Sequence, residues 1–158
     1  MKLPGDLREF IESLNAANVK YLIVGGYAVA FHGRPRWTGD IDIFVERSEE
    51  NARRMEQAIA RFGFQSLGLS ARDFLLPDAV IQLGRPPNRI DVLTAIEGVT
   101  FGEAWSTRVP TTLDGLPVCF ISRELLVRNK SATGRPQDRA DAQDLAATDP
   151  APPAPPIT

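Results

Sequence analysis

With 158 residues and 43% hydrophobic side chains, the chain is long enough for one packed domain, and its formal net charge of −2 gives no general attraction to a phosphate backbone. A single cysteine, Cys119, excludes an internal disulfide, and with a single histidine, His32, it also excludes a Cys/His structural zinc site. No apolar run approaches a membrane span and the first residues lack a signal-peptide core, so a reducing cytoplasm is the expected compartment.

In chain order, Asp6 is expected to cap a first helix whose buried face carries Leu7, Phe10, Ile11 and Leu14. Tyr21 to Val24 reads as a buried strand. It runs into Gly25-Gly26 and a short helix that stops at Gly33, followed by a loop bracketed by Pro35 and Gly39. Asp40 to Val45 has strand periodicity. Ser48 caps the next helix, with Ala52, Met55, Ile59 and Phe62 on one stripe and Gly63 at its end. Ser70 to Leu75 suits a helical turn. Ala79 to Leu83 and Arg89 to Thr94 read as strands, and Phe101 to Trp105 as a short helix. Asp114-Gly115 joins Val109–Leu113 to Leu116–Ile121 as a hairpin. Ser122 caps a helix through Leu125, Leu126 and Val127. A polar break over Lys130 to Pro136 and a last helix over Gln137 to Ala147 follow. Asp149 to Thr158, rich in Pro and Ala, is expected to be a disordered tail, leaving residues 1–148 as the domain. Alternating helices and strands define the α/β (α+β) class, and the hairpin argues for a mixed sheet flanked by helices.

Chemistry concentrates in three acids. Residues two apart on a strand share a face, so Asp40 and Asp42 project together, with Cα atoms roughly 6–7 Å apart. Ile41 and Ile43 take the core face. Two carboxylates this close repel, and a divalent cation relieves the repulsion. Asp91, in Arg89-Ile90-Asp91-Val92-Leu93, has the same context, and it completes a triad if its strand lies beside the first. Ligands of oxygen alone favour Mg²⁺ or Mn²⁺ over zinc. The alternative is three strand-end acids facing water.

Gly25-Gly26 between strand and helix lets the backbone turn tightly and admits a phosphate to the amides at the helix start. The pattern Val24-Gly25-Gly26, a gap, then Gly39-Asp40-Ile41-Asp42-Ile43, then the Asp91 strand, resembles the nucleotidyltransferase fold of the DNA polymerase beta superfamily. Its longer form, Gly-Gly-Tyr-Ala-Val-x-x-His-Gly-Arg-x-Arg-x-Thr-x-Asp-Ile-Asp over Gly25–Asp42, resembles the small bacterial nucleotidyltransferases that include abortive-infection and toxin–antitoxin proteins of the AbiEii type. The resemblance implies metal binding by Asp40, Asp42 and Asp91, with Asp91 also helping to activate an acceptor hydroxyl. It implies transfer of a nucleoside monophosphate from an NTP to RNA, a partner protein or a small molecule. Many relatives have Ser where this chain has Gly26, so only backbone amides, and Tyr27, remain there for phosphate.

Around this centre, Arg34 and Arg36 offer donor forks suited to phosphate, or pair with nearby acids. Thr38 bonds phosphate or caps the loop. His32 has two readings, a general base or a helix-end histidine bonded to backbone. Lys130, followed by Arg135-Pro136-Gln137-Asp138-Arg139-Ala140-Asp141, resembles the Lys…Arg-Pro-x-Asp-x-x-Asp element near the end of these enzymes. Lys130 reaches a phosphate as a point charge, while Asp138 and Asp141, three apart on one helix face, pair with the basic residues of that segment. Tyr21, Phe31, Phe44, Phe62, Phe64 and Phe101 read as core. Tyr27 and Trp37 are weighed between packing and stacking on a base. The reading from another class is a non-catalytic nucleotide-binding module or toxin–antitoxin subunit.

Overall fold

The computed structural model describes residues 2–33, 39–63, 68–84 and 88–147. Arg34, Arg36, Trp37, Thr38, Phe64 and the expected tail lie outside them.

Helix α1 (Gly5–Ala16) buries Leu7, Phe10, Ile11 and Leu14. Pro4, not Asp6, precedes its first residue. Asp6 lies one residue inside, where its charge suits the positive helix end, and its Oδ1 accepts the Leu7 N–H at 3.1 Å. Strand β1 (Tyr21–Val24) is wholly buried. It passes directly into α2 (Gly25–His32), which starts at the glycines as expected and is apolar almost all round. Strand β2 covers Ile41–Val45, so Asp40 stands just before it rather than within it. Ser48 caps α3 (Glu49–Phe62) by accepting the Asn51 N–H, and Gly63 ends that helix at φ 102. A 3₁₀ turn (Ala71–Leu75), β3 (Val80–Leu83), β4 (Ile90–Leu93) and α4 (Phe101–Ser106) follow.

Strands β5 (Val109–Leu113) and β6 (Leu116–Phe120) form the expected hairpin, with Asp114 at φ 50 and Gly115 at φ 78. Two positive φ angles in succession match the right-handed twist of the flanking strands. Ser122 caps α5 (Arg123–Ala132), and α6 spans Pro136–Ala147. The expected polar break is therefore too long. Lys130 lies inside α5, and the chain first turns away at Gly134, which takes φ 73. Lysine, serine and alanine tolerate a helix, so nothing before the glycine ends it.

The six strands form one mixed sheet in the order β3-β4-β2-β1-β6-β5. β2 runs antiparallel to β1 and parallel to β4, and β6 runs parallel to β1. Helices pack on the sheet around a core that includes Phe10, Phe44, Phe74 and Phe120. No helix among the described residues is long and apolar enough to cross a membrane.

Buried Asn51 fastens one end of the β1–β2 pair. It accepts the Lys20 N–H at 2.8 Å and donates to the carbonyls of Lys20 at 3.0 Å and Glu46 at 2.9 Å. A leucine there would leave the Lys20 N–H and the Glu46 carbonyl without their side-chain partner, while the Lys20 carbonyl keeps only the Glu46 N–H at 3.2 Å. Asn51→Leu should therefore cost about 3 kcal/mol, measured by urea unfolding, and a loss below ~1 kcal/mol would refute the clamp.

Candidate active site

The end of the β1–β2 pair away from Asn51 holds the acids. Val24 on β1 pairs with Asp42 on β2, and Asp42 pairs with Asp91 on β4. The parallel β2–β4 register thus brings together the two strands whose proximity the triad required. Ile41 and Ile43 are fully buried on the other face, as the alternation predicts.

Gly25 is the residue that makes room for Asp42. It takes φ +66, and a Cβ built there would lie 1.9 Å from Asp42 Oδ2. Any other residue would strain the backbone and collide with the carboxyl. Gly26 occupies the first turn of α2.

Asp42 and Asp91 are close enough for their carboxyls to share a hydrogen bond. Burial first, then the Asp91 charge and that bond, push Asp42 from 3.8 up to about 7, while Lys130 pulls it down. Asp40 and Asp91 are also linked by a residue singled out only as part of its strand, Arg89. Its Nη2 lies 3.1 Å from Asp40 Oδ2 and its Nε 3.0 Å from Asp91 Oδ1. Its backbone N–H donates to Asp40 Oδ1 at 3.1 Å. Arg89 stands one residue before β4 and two before Asp91, so strand alternation puts it on the acid face. That period-two signal was available in the sequence.

Among the described residues, no group of three or more His, Cys, Asp or Glu side chains is arranged to hold a metal ion. The guanidinium engages Asp40 and Asp91 instead. The donor set still suits a hard cation: Asp42 and Asp91 converge, all available ligands are oxygens, and their mutual repulsion is what a divalent ion would relieve.

Lys130 faces the same place from α5. It lies 3.0 Å from Asp138 and 3.9 Å from Asp141. Asp138 also accepts the Thr133 hydroxyl at 2.7 Å and pairs with Arg135 at 2.9 Å. Burial alone would raise Asp138, but the bonds from Thr133 and Lys130 outweigh it and hold its pKa low. This matches the expectation that these acids fix the basic segment. A cleft of about 240 Å³ lies between the two clusters, lined by Gly25, Asp42, Asn129, Lys130, Arg135 and Asp138. Larger hollows of about 520 Å³ beside α1 and about 560 Å³ beside Trp105 do not include Asp42.

His32 and Tyr27 are both buried. His32 is buried and its Nε2 lies 2.6 Å from the Ile121 carbonyl, as expected of a backbone-bonded helix-end histidine. Tyr27 is buried in the core, which favours packing over stacking on a base. Arg34, Arg36 and Thr38 lie outside the described residues.

This mixed sheet with flanking helices is a nucleotidyltransferase fold. Over 92% of its length the chain is similar to the lincomycin-bound crystal structure of the lincosamide antibiotic adenylyltransferase LnuA, covering 97% of that chain at a TM-score of 0.54 and 16% sequence identity. At that identity the likeness is one of fold. No protein-family model and no curated protein matches the sequence.

Asp42 is charged at a cost to the fold. The folded protein keeps its proton up to about 7, whereas the unfolded chain releases it near 3.8. Asp42 therefore weakens the fold progressively as pH rises through that window. In EDTA, Asp42→Asn should melt about 5 °C or more above the parent at pH 8, with the gap closing toward pH 4. A gap independent of pH would refute the assignment.

Proposed function

We propose that the chain is a cation-dependent nucleotidyltransferase that moves a nucleoside monophosphate from an NTP to a hydroxyl, with residues 1–148 as the minimal unit. The observation that carries this reading is the pairing of Asp42 with Asp91, beside Asp40 and Gly25, in a nucleotidyltransferase fold.

Asp40, Asp42 and Asp91 would hold Mg²⁺ or Mn²⁺, which when bound neutralises triphosphate charge and polarises the acceptor oxygen. Gly25 and Gly26 leave the start of α2 open to a phosphate. Lys130, kept in place by Asp138, offers a point charge to the same anion. Arg34, Arg36 and Thr38 are proposed to join it from the loop. Asp91 would accept the acceptor hydroxyl proton. The oxygen then bonds to the α-phosphorus, the bond from that phosphorus to the bridging oxygen breaks, and pyrophosphate leaves.

A small-molecule acceptor is favoured over RNA or a partner protein. The net charge is −2, and Lys130 and Arg135, the two described basic residues that line the cleft, are both engaged by Asp138, which leaves little free positive charge there for a polynucleotide. LnuA, of similar length, is an adenylyltransferase of lincosamide antibiotics. The AbiEii-type resemblance keeps RNA and protein acceptors, and a toxin–antitoxin partner, as the other arms of the test. The second reading, a non-catalytic nucleotide-binding module or toxin–antitoxin subunit, draws its support from Arg89, which engages two of the three acids.

The protein should be incubated with Mg²⁺, each labelled NTP and, separately, hydroxyl-bearing antibiotics including lincosamides, total tRNA and cell extract. Labelled product is expected with a small molecule, and Asp42→Asn or Asp91→Asn should lower its rate about 100-fold or more. Absence of product together with absence of Mg²⁺-dependent NTP binding would overturn the transferase reading, whereas NTP binding without product under any condition would favour the non-catalytic nucleotide-binding module.

A further inference from the structure

Arg89 uses oxygens that a cation would need. Its Nε and Nη2 face Asp91 at 3.0 and 3.5 Å, and the same Nη2 faces Asp40 at 3.1 Å. The fork thus bridges the two carboxylates that flank Asp42 in space. Its backbone is fixed separately: the N–H donates to Asp40 at 3.1 Å, and the carbonyl accepts the Ile41 N–H at 3.0 Å. The side chain is 31% exposed and ends in a long flexible stem. The guanidinium can therefore swing into solvent while the strand pairing beneath it stays intact.

The geometry points to Arg89 as a built-in competitor of the divalent cation, a positioning residue that holds Asp40 and Asp91 when no cation is bound and must withdraw for one to bind. This rests on the cation-dependent reading above. A guanidinium carries one charge in a planar fork that matches paired carboxylates, so it lessens their repulsion without a metal. A divalent ion brings twice the charge and cannot share these oxygens closely with a guanidinium without strong repulsion. Cation binding then draws only on the fraction of molecules whose Arg89 has withdrawn, and apparent affinity falls by that fraction. Arg89 in this way sets the cation concentration at which the acid face becomes competent.

The test is Mn²⁺ binding to the nucleotide-free protein, read from the electron paramagnetic resonance signal of the free ion, for the parent, Arg89→Gln and Arg89→Lys. Arg89→Gln should bind Mn²⁺ roughly tenfold more tightly than the parent, and Arg89→Lys, which keeps the charge but not the fork, should fall between them. Equal or weaker binding by Arg89→Gln, with the parent binding normally, overturns the competition and leaves the transferase reading standing. Failure of all three proteins to bind Mn²⁺ overturns the competition, while the transferase reading stands or falls on the NTP and acceptor assay. Circular dichroism identifies a variant that does not fold. In that case the parent alone decides through its Arg89 Nε–Hε resonance, assigned by through-bond correlation to the Arg89 backbone. That resonance should shift as Mg²⁺ is added. A resonance that stays in place while those of Asp91 respond overturns the proposal.

Discussion

One crowded carboxyl organises this protein. Asp42 sits in the middle of the sheet, between β1 and β4, with the Asp91 carboxyl against it and the Gly25 backbone pressed close. The strand-to-helix turn takes a glycine with positive φ because a side chain would enter the space of Asp42. The parallel pairing of β2 with β4 follows from the same arrangement, since it carries the second acid to the same level. The fully buried isoleucines on either side hold the strand in a register that a one-residue slip would invert.

The surrounding charges divide into two paired groups. On one side Arg89 ties Asp40 to Asp91, and on the other Lys130, Thr133 and Arg135 converge on Asp138. Asp42 stands between them, with its pKa raised by burial and by Asp91. The fold satisfies its outer acids well and leaves the central one in tension.

Local chemistry was readable in the sequence and long-range register was not. Asp114-Gly115 announced its hairpin because two successive positive φ angles suit few residues. Ser48 and Ser122 announced their helices because a hydroxyl answers an orphan N–H three residues on. Asp6 misled, since Pro4 also suits a helix start and leaves the acid one residue inside. Whether the Asp91 strand lay beside β2 depended on a pairing across some fifty residues of chain, which only three-dimensional packing decides. The role of Arg89 is hidden in the sequence for a similar reason. Its alternation placed it on the acid face, but its bond to Asp40 depends on that same pairing. The polar neighbours of Lys130 hide a helix that continues to Ala132.

The edges of the chain meet in space. The Leu3 N–H and the Arg8 side chain both reach Asp114, at the tip of the late hairpin, and β6 lies directly beside β1. The centre of the sheet therefore cannot close until β6 has been synthesised. β1 waits with one side bare until nearly a hundred further residues have appeared, and α1 lacks its anchor for the same interval. Contacts so distant in sequence make folding slow and leave an unpaired strand edge open to other chains meanwhile. The hairpin thus closes the centre of the sheet, and its tight, strongly specified turn shortens the step on which that closure depends.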